Sequence, residues 1–440
     1  MTVPNGLLIA APRSGSGKST VTLGLQRALA RRGMKVRGVK SGPDYIDTAF
    51  HAAATGRPAI NLDSFAMSDA TMAGLVAASS PDTDLFVAEG SMGLFDGVRG
   101  ASGHTGASAD VAALMGWPVI LVLDVAGHAQ SAAATALGCA RFDPRIEVAG
   151  VILNNVASER HRRLVGVGFE QIGVPILGAL DRDKTLTLPE RHLGLVQAGE
   201  TDDLEARLER LADTVAAAVD LDAMVAAAQP TRTVAGTDQT ALRPPGQRIA
   251  LARDRSFSFV YEHILAGWRQ AGAEIVPFSP LADEAPPSDC DCCWLPGGYP
   301  ELHAGALAAA DVFLSGLRAF AESRPVHGEC GGYMVLGRTL EDADGIIHAM
   351  ADLLPVETSY AKRKLHLGYR IAEIVQETSF APASTRLVGH EFHYAAITAF
   401  DPDPALAFAT VTDAEGRDLG TAGHRIDRVS GSFFHAIAAR

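Results

Sequence analysis

No part of the chain restricts its fold more than residues 7–31, LLIAAPRSGSGKSTVTLGLQRALAR. An apolar strand, a glycine-rich turn and a helical stretch follow one another without a gap. A strand apolar on both faces that runs straight into a helix belongs to a parallel sheet covered by helices. The same alternation recurs downstream. Expected strands are Leu7–Ala11, Val36–Lys40, Leu85–Glu89, Val119–Asp124, Val148–Asn154 and Ile176–Leu180. Ala- and Leu-rich stretches such as Ser19–Arg31 and Gln130–Ala140 predict the intervening helices. Leu204–Ala228 predicts one closing helix.

The alternation stops at QPTRTVAGTDQTALRPPGQ, residues 229–247, which is dense in Thr, Pro and Gly and has no apolar period. It reads as a linker. A new α/β pattern follows, with strand RIALARD from Arg248, helix Phe259–Gln270, and strands Glu274–Pro277 and Cys292–Leu295. At 440 residues the chain is too long for one ordinary core. The expected organisation is therefore two α/β domains, 1–228 and 248–440, joined by 229–247.

Composition excludes several classes. Apolar residues make up 47% and charged residues 20%, so wholesale disorder is not expected. A net charge of −13 disfavours non-specific nucleic-acid binding. No stretch is long and apolar enough to predict a bilayer span, and Met1–Gly6 carries no basic segment that would start a signal peptide. The five cysteines (Cys139, Cys290, Cys292, Cys293 and Cys330) have no regular spacing, which predicts reduced thiols and a cytoplasmic protein. Cys290, Cys292 and Cys293 lack the second pair that a zinc site needs and read as strand residues.

The first motif points to a nucleotide. Gly15 and Gly17 let the backbone turn, and with Ser16 offer N–H groups to phosphate oxygens. Lys18 reaches terminal phosphates, Ser19 and Thr20 open the helix, and Ser19 can ligate Mg²⁺. Pro12 stands where the usual pattern has its first glycine. Carboxylates are expected at neighbouring strand ends: Asp44 and Asp47 in KSGPDYIDTAFH, and Glu89 at the close of LFVAE. Asp44 and Asp47 also suit turn chemistry after Pro43, and Asp96 reads as a turn residue. Asn154, Asn155 and Asp124 end strands, where they either read a nucleotide base or close a turn.

The second motif is RPVHGECGGYMVLG, residues 324–337. A strand, a cysteine, two glycines and a helical continuation make a nucleophile elbow at Cys330. A helix head lowers a thiol pKa, so part of Cys330 is expected as thiolate. His435 in SGSFFHAIA is the expected base. The N–H groups of Gly297 and Gly298 in LPGGYPELH, with that of Gly331, are the expected oxyanion hole. In RLVGHEFHYA, alternation predicts a strand carrying His390, Glu391 and His393. These histidines either pack and hydrogen-bond or hold an anion. The basic segment KRKLHLGYR reads as a solvated face.

Taken in order, APRSGSGKST, KSGPDYID, EGSMGLFDG, LPGGYPELH, GECGGYMVLG and GHEFHY resemble the cobyrinic/hydrogenobyrinic acid a,c-diamide synthases. The likeness covers nearly the whole chain. It implies a dethiobiotin-synthetase-like P-loop NTPase domain and a flavodoxin-like class I glutamine amidotransferase domain. It also implies ATP and glutamine as reactants, with Mg²⁺ as cofactor, in amidating hydrogenobyrinic or cobyrinic acid during cobalamin synthesis, by an expected homodimer. Residue by residue, it makes Cys330 the nucleophile and His435 its base. Gly15, Gly17, Lys18, Ser19 and Thr20 hold phosphates, Ser19, Asp47 and Glu89 hold Mg²⁺, and Asp44, Tyr45, Asp47 and Glu89 line the synthetase site. Class I glutaminases carry a Glu two residues after the base, where this chain has Ile437, so the third group is left open, with Glu329 one candidate. Cobyric acid synthase and nickel-sirohydrochlorin diamide synthase share the build. A ParA-like switch ATPase shares only the first half.

Overall fold

A computed structural model describes residues 3–183, 190–191, 194–195, 203–233 and 242–440. The chain divides into two compact units, Met1–Gln239 and Thr240–Arg440.

In the first unit, seven strands run parallel in the order Ile60–Leu62, Val36–Ser41, Leu85–Glu89, Asn5–Ala10, Val119–Asp124, Val148–Val156 and Ile176–Asp181. The first strand in sequence sits in the middle, and the chain builds outward on both sides of it. Ligands of such sheets bind at the carboxyl ends of the strands, where the order switches direction. The glycine loop leaves Asn5–Ala10 at that point. Register places Ile9 and Lys40 on either side of Glu89, so three adjacent strand ends converge. The helix Lys18–Arg31 covers the sheet with Val21, Leu25 and Leu29, which pack on Leu7, Ile9, Val87 and Ile120.

Two expectations at the end of this unit are corrected. The closing helix is two helices, Leu204–Ala218 and Leu221–Ala227. Between them Val219 bridges to Gly178, and the Asp220 carboxylate accepts the Ala223 N–H, a cap that starts the second helix. The expected linker is structured at its start. Gln229–Pro230 pairs antiparallel with Asn5 and Gly6, and Thr231 accepts the Trp117 indole N–H at 2.9 Å. Residues 234–241 of that stretch lie outside the described residues.

The second unit opens with five parallel strands in the order Glu274–Phe278, Arg248–Ala252, Cys292–Leu295, Val326–Glu329, Val429–Ser432. By sequence this is 2-1-3-4-5, the flavodoxin-like order. The sheet continues antiparallel through Asp418–Ile426, Ala407–Asp413, His366–Ile374 and Arg386–His393 to Phe434–Ala439. Only Phe433 separates Val429–Ser432 from Phe434–Ala439 in the chain, so these strands curl back on themselves. Phe257, Leu295, Phe313, Leu317 and Val335 lie in the core of this unit. The helix expected from Phe259 begins at Glu262, and Cys290 is buried ahead of the strand rather than within it.

Candidate active sites

The phosphate loop holds its expected geometry. Gly15 and Gly17 have φ of 75° and 89°, which side chains with a Cβ rarely adopt. A Cβ at Gly17 would lie 2.1 Å from Asn154 Nδ2. That amide donates to the Ser16 carbonyl at 2.9 Å. Asn154, at a strand end open to either a nucleotide base or a turn, braces the loop backbone. Asn155 donates to Asp124, which also pairs with Arg13 at 3.0 Å.

Glu89 is the hub of the site. It is fully buried, and its Oε1 accepts from Ser19 Oγ at 2.6 Å, Lys18 Nζ at 3.1 Å and Lys40 Nζ at 3.1 Å. Its Oε2 meets His51 Nε2 at 2.8 Å. Burial opposes its charge, but Lys40 and Lys18 outweigh that and hold its pKa well below the carboxylate range. Burial likewise opposes the Lys40 ammonium, yet Asp47, Glu89 and Asp44 keep it charged. Burial and the Asp47 charge push Asp44 up to about 6.

Asp44 caps the helix Tyr45–Thr55 by accepting the N–H groups of Ile46 and Asp47, so the turn chemistry after Pro43 is real. Asp47, expected as a Mg²⁺ ligand, pairs with Lys40 at 2.5 Å. Asp96 accepts the Gly93 N–H, a turn role. Lys40 and His51 were not among the expected site residues. Lys40 ends the strand expected from sequence, as Glu89 does, and His51 follows Asp47 by four residues on one helix, so both left a signal.

At the elbow, Cys330 has φ 47° and ψ −103° between the strand Val326–Glu329 and the helix Gly331–Leu336. Its N–H donates to the Ser432 carbonyl at 2.8 Å and its carbonyl accepts from Met334 at 3.1 Å. A Cβ at Gly332 would lie 2.0 Å from the Leu295 carbonyl oxygen, and one at Gly331 would lie 3.1 Å from the Gly298 nitrogen. The glycines therefore let the elbow press against LPGGYPELH, and bring the Gly298 and Gly331 amides together.

His435 reaches the same place from Phe434–Ala439. A Cβ at Gly297 would lie 2.4 Å from its Cε1 and 3.2 Å from its Nε2. Its ring stacks on His390 at 5.2 Å, and His390 Nε2 meets Tyr261 OH at 2.7 Å. Glu329 Oε2 lies 4.0 Å from His435 Nδ1, while its Oε1 accepts the Ala436 N–H at 3.0 Å.

The expected thiolate is corrected. Burial, then Glu301, raise the Cys330 pKa well above its usual value against the one favourable Gly331 N–H. Six residues of helix cannot offset full desolvation. Burial, then His390, push His435 well below its usual value. At rest the thiol and the imidazole are each neutral.

Burial lowers His390 and His393 to about 3, so neither offers an anion a positive charge at rest. His393 Nδ1 faces the Ala395 carbonyl and its ring stacks on Phe433 at 3.8 Å. In the basic segment, Arg370 pairs with Glu391 at 2.8 Å and Arg363 lies over the Tyr360 ring.

Residues 7–196 match the family described as a CobQ/CobB/MinD/ParA nucleotide binding domain, and residues 248–440 match the CobB/CobQ-like glutamine amidotransferase domain. Three curated proteins named hydrogenobyrinate a,c-diamide synthase are similar from end to end. That of Mesorhizobium japonicum is 57% identical over 98% of both chains. That of Agrobacterium fabrum is 54% identical over 98% of both. That of Rhodobacter capsulatus is 57% identical over 99% of both.

Proposed function

The chain belongs to the hydrogenobyrinate a,c-diamide synthase family, and we propose that it uses ATP and glutamine to convert the a and c acetate carboxylates of hydrogenobyrinic acid to amides. One observation carries the reading: the likeness runs through both units, so a nucleotide site and a glutaminase elbow belong to one polypeptide.

A carboxylate is a poor electrophile. Its oxygen attacks the terminal phosphate of ATP, the bridging bond to ADP breaks, and an acyl phosphate forms. Ammonia then displaces phosphate and leaves the amide. Lys18 neutralises the transferring phosphoryl group, with Gly15, Ser16, Gly17 and Thr20 around it. Lys40 holds Glu89 and Asp47 in place. The helix start at Asp44, Tyr45 and Asp47, with Asp44 as its cap and Asp47 paired to Lys40, is the side of the site assigned to the macrocycle. Ser19 and Glu89 present hydroxyl and carboxylate oxygens side by side, the hard donors Mg²⁺ takes beside phosphate, so these two residues would hold it. When bound, the ion adds charge neutralisation at the phosphates.

Ammonia comes from glutamine. The Cys330 sulfur attacks the carboxamide carbon as His435 takes the thiol proton, and the Gly298 and Gly331 N–H groups receive the oxyanion. His435 returns the proton to the departing ammonia, and water releases glutamate from the thioester.

Among the described residues no helix is long and apolar enough to cross a membrane. A cytoplasmic homodimer completes the reading, and light scattering of the purified protein tests the dimer.

The deciding experiment offers ATP and glutamine with hydrogenobyrinic acid, cobyrinic acid or nickel-sirohydrochlorin, and reads product mass. Two added amide groups on hydrogenobyrinic acid are expected. Turnover of another macrocycle with none of hydrogenobyrinic acid would overturn the assignment.

A further inference from the structure

We propose that Glu329 is the carboxylate that positions His435 and faces its imidazolium during glutamine cleavage. The inference rests on the glutaminase reading above and supplies the group missing from it.

Position 437, where a carboxylate would follow the base, is Ile437, fully buried in the core. Its carbonyl is engaged by His263 Nε2 at 3.0 Å, so this stretch of strand is tied down in the core. Glu329 approaches from the strand Val326–Glu329, directly ahead of Cys330. Its Oε2 is 4.0 Å from His435 Nδ1, and both side chains are buried, at 6% and 1% exposure. Its other oxygen is fixed by the Ala436 N–H at 3.0 Å, so one carboxylate grips the backbone beside the base and faces the base itself.

Burial raises Glu329 to about 8, against the Ala436 N–H and the Trp294 side chain, so the carboxylate is the form that prevails above that pH. A neighbouring cation favours the charged form. When the thiol S–H breaks and its proton passes to His435 Nε2, the Nδ1–H of the imidazolium becomes that cation. The proton stays on His435 until it leaves with ammonia. Glu329 stabilises the charge and does not relay it.

Gln and Ala substitutions separate this role from a structural one. Gln keeps the volume and the acceptor for Ala436 but carries no charge; Ala loses both. Each variant of the full chain is assayed with ATP and hydrogenobyrinic acid, first with glutamine and then with ammonium chloride, beside Cys330→Ala. Both variants are expected to lose at least ~10-fold in kcat with glutamine, KM staying within ~2-fold, while the ammonium rates stay at the wild-type value. Wild-type kcat in Glu329→Gln would overturn the proposal, whatever Glu329→Ala does. A parallel fall in the ammonium rate of Glu329→Gln would also overturn it, because the defect would then be one of folding. Should Glu329→Ala fail to fold, the Gln variant decides alone. Glutamine use surviving in Cys330→Ala would instead sink the elbow reading on which the proposal stands.

Discussion

Cys330 holds a positive φ that costs a residue with a Cβ on the order of 1–3 kcal/mol. Hydrogen bonds to Ser432 and from Met334 hold it there, and two glycines clear the space in front of it. The strain turns the sulfur out of the strand while leaving the thiol buried and neutral. Proton removal by His435 is then part of the reaction and not a resting state. Cys330→Ala is expected to abolish glutamine-dependent amidation and leave the ammonium-dependent rate intact; loss of both rates in a folded variant would show that the thiol serves the synthetase as well. Gly332→Ala meets the Leu295 carbonyl oxygen 2.0 Å away, where backbone has to move. It should cost ~1–3 kcal/mol, read as a lower melting temperature. A melting temperature equal to wild type would mean the elbow has more room than its geometry shows.

At the scale of elements, the synthetase site is a product of strand order. Lys40 and Glu89 are far apart in sequence but face each other in a parallel register. The helix Tyr45–Thr55, capped by Asp44, then adds Asp47 and His51 on one face, a turn apart. Lys40 is the counter-charge on which two carboxylates depend, being 3% exposed against 13% for Asp47 and 0% for Glu89. Removing one partner of a buried ion pair costs ~3–5 kcal/mol. Lys40→Ala is therefore expected to destabilise the first unit by about that much in urea unfolding; a loss below ~1 kcal/mol would show that water or relaxation replaces the ammonium. Lys18→Ala, only partly buried, should fold normally and lose amidation from both glutamine and ammonium. Amidation retained from either source would remove Lys18 from the phosphoryl transfer.

At the scale of the whole molecule, each unit has its own core, and the second carries a group of buried neutral imidazoles. Burial lowers His327, His390 and His393 to about 3 and His263 to about 4, from 6.5. An unfolded chain binds protons at these groups below pH 6.5 and the folded chain does not. Their contribution is thus fully present above pH 6.5 and is lost as the pH falls towards 4. The Thr240–Arg440 unit should show a melting temperature that drops steadily between pH 7 and pH 4. A flat profile would mean the imidazoles find acceptors when protonated. The antiparallel half of the ten-stranded sheet belongs to this scale too. Its ladder seats Phe434–Ala439 beside Arg386–His393, which sets His435 opposite His390.

The sequence by itself determined the class of each half and the chemistry each half carries. A glycine loop ahead of a lysine, and a cysteine between a strand and two glycines, are local patterns, because turns and helix starts are decided by the residues within them. Cys330, Lys18 and Ser19 were legible in that way, Glu89 from its place at a strand end, and His435 from its order in the chain. What only the tertiary structure decided is which groups stand beside them and in what charge state. Lys40 against Glu89, Asn154 under the loop, Glu329 behind His435 and the break at Val219 each depend on partners distant in sequence. Desolvation is likewise a property of the folded surroundings, which is why a thiol expected to ionise at a helix head is held neutral by burial.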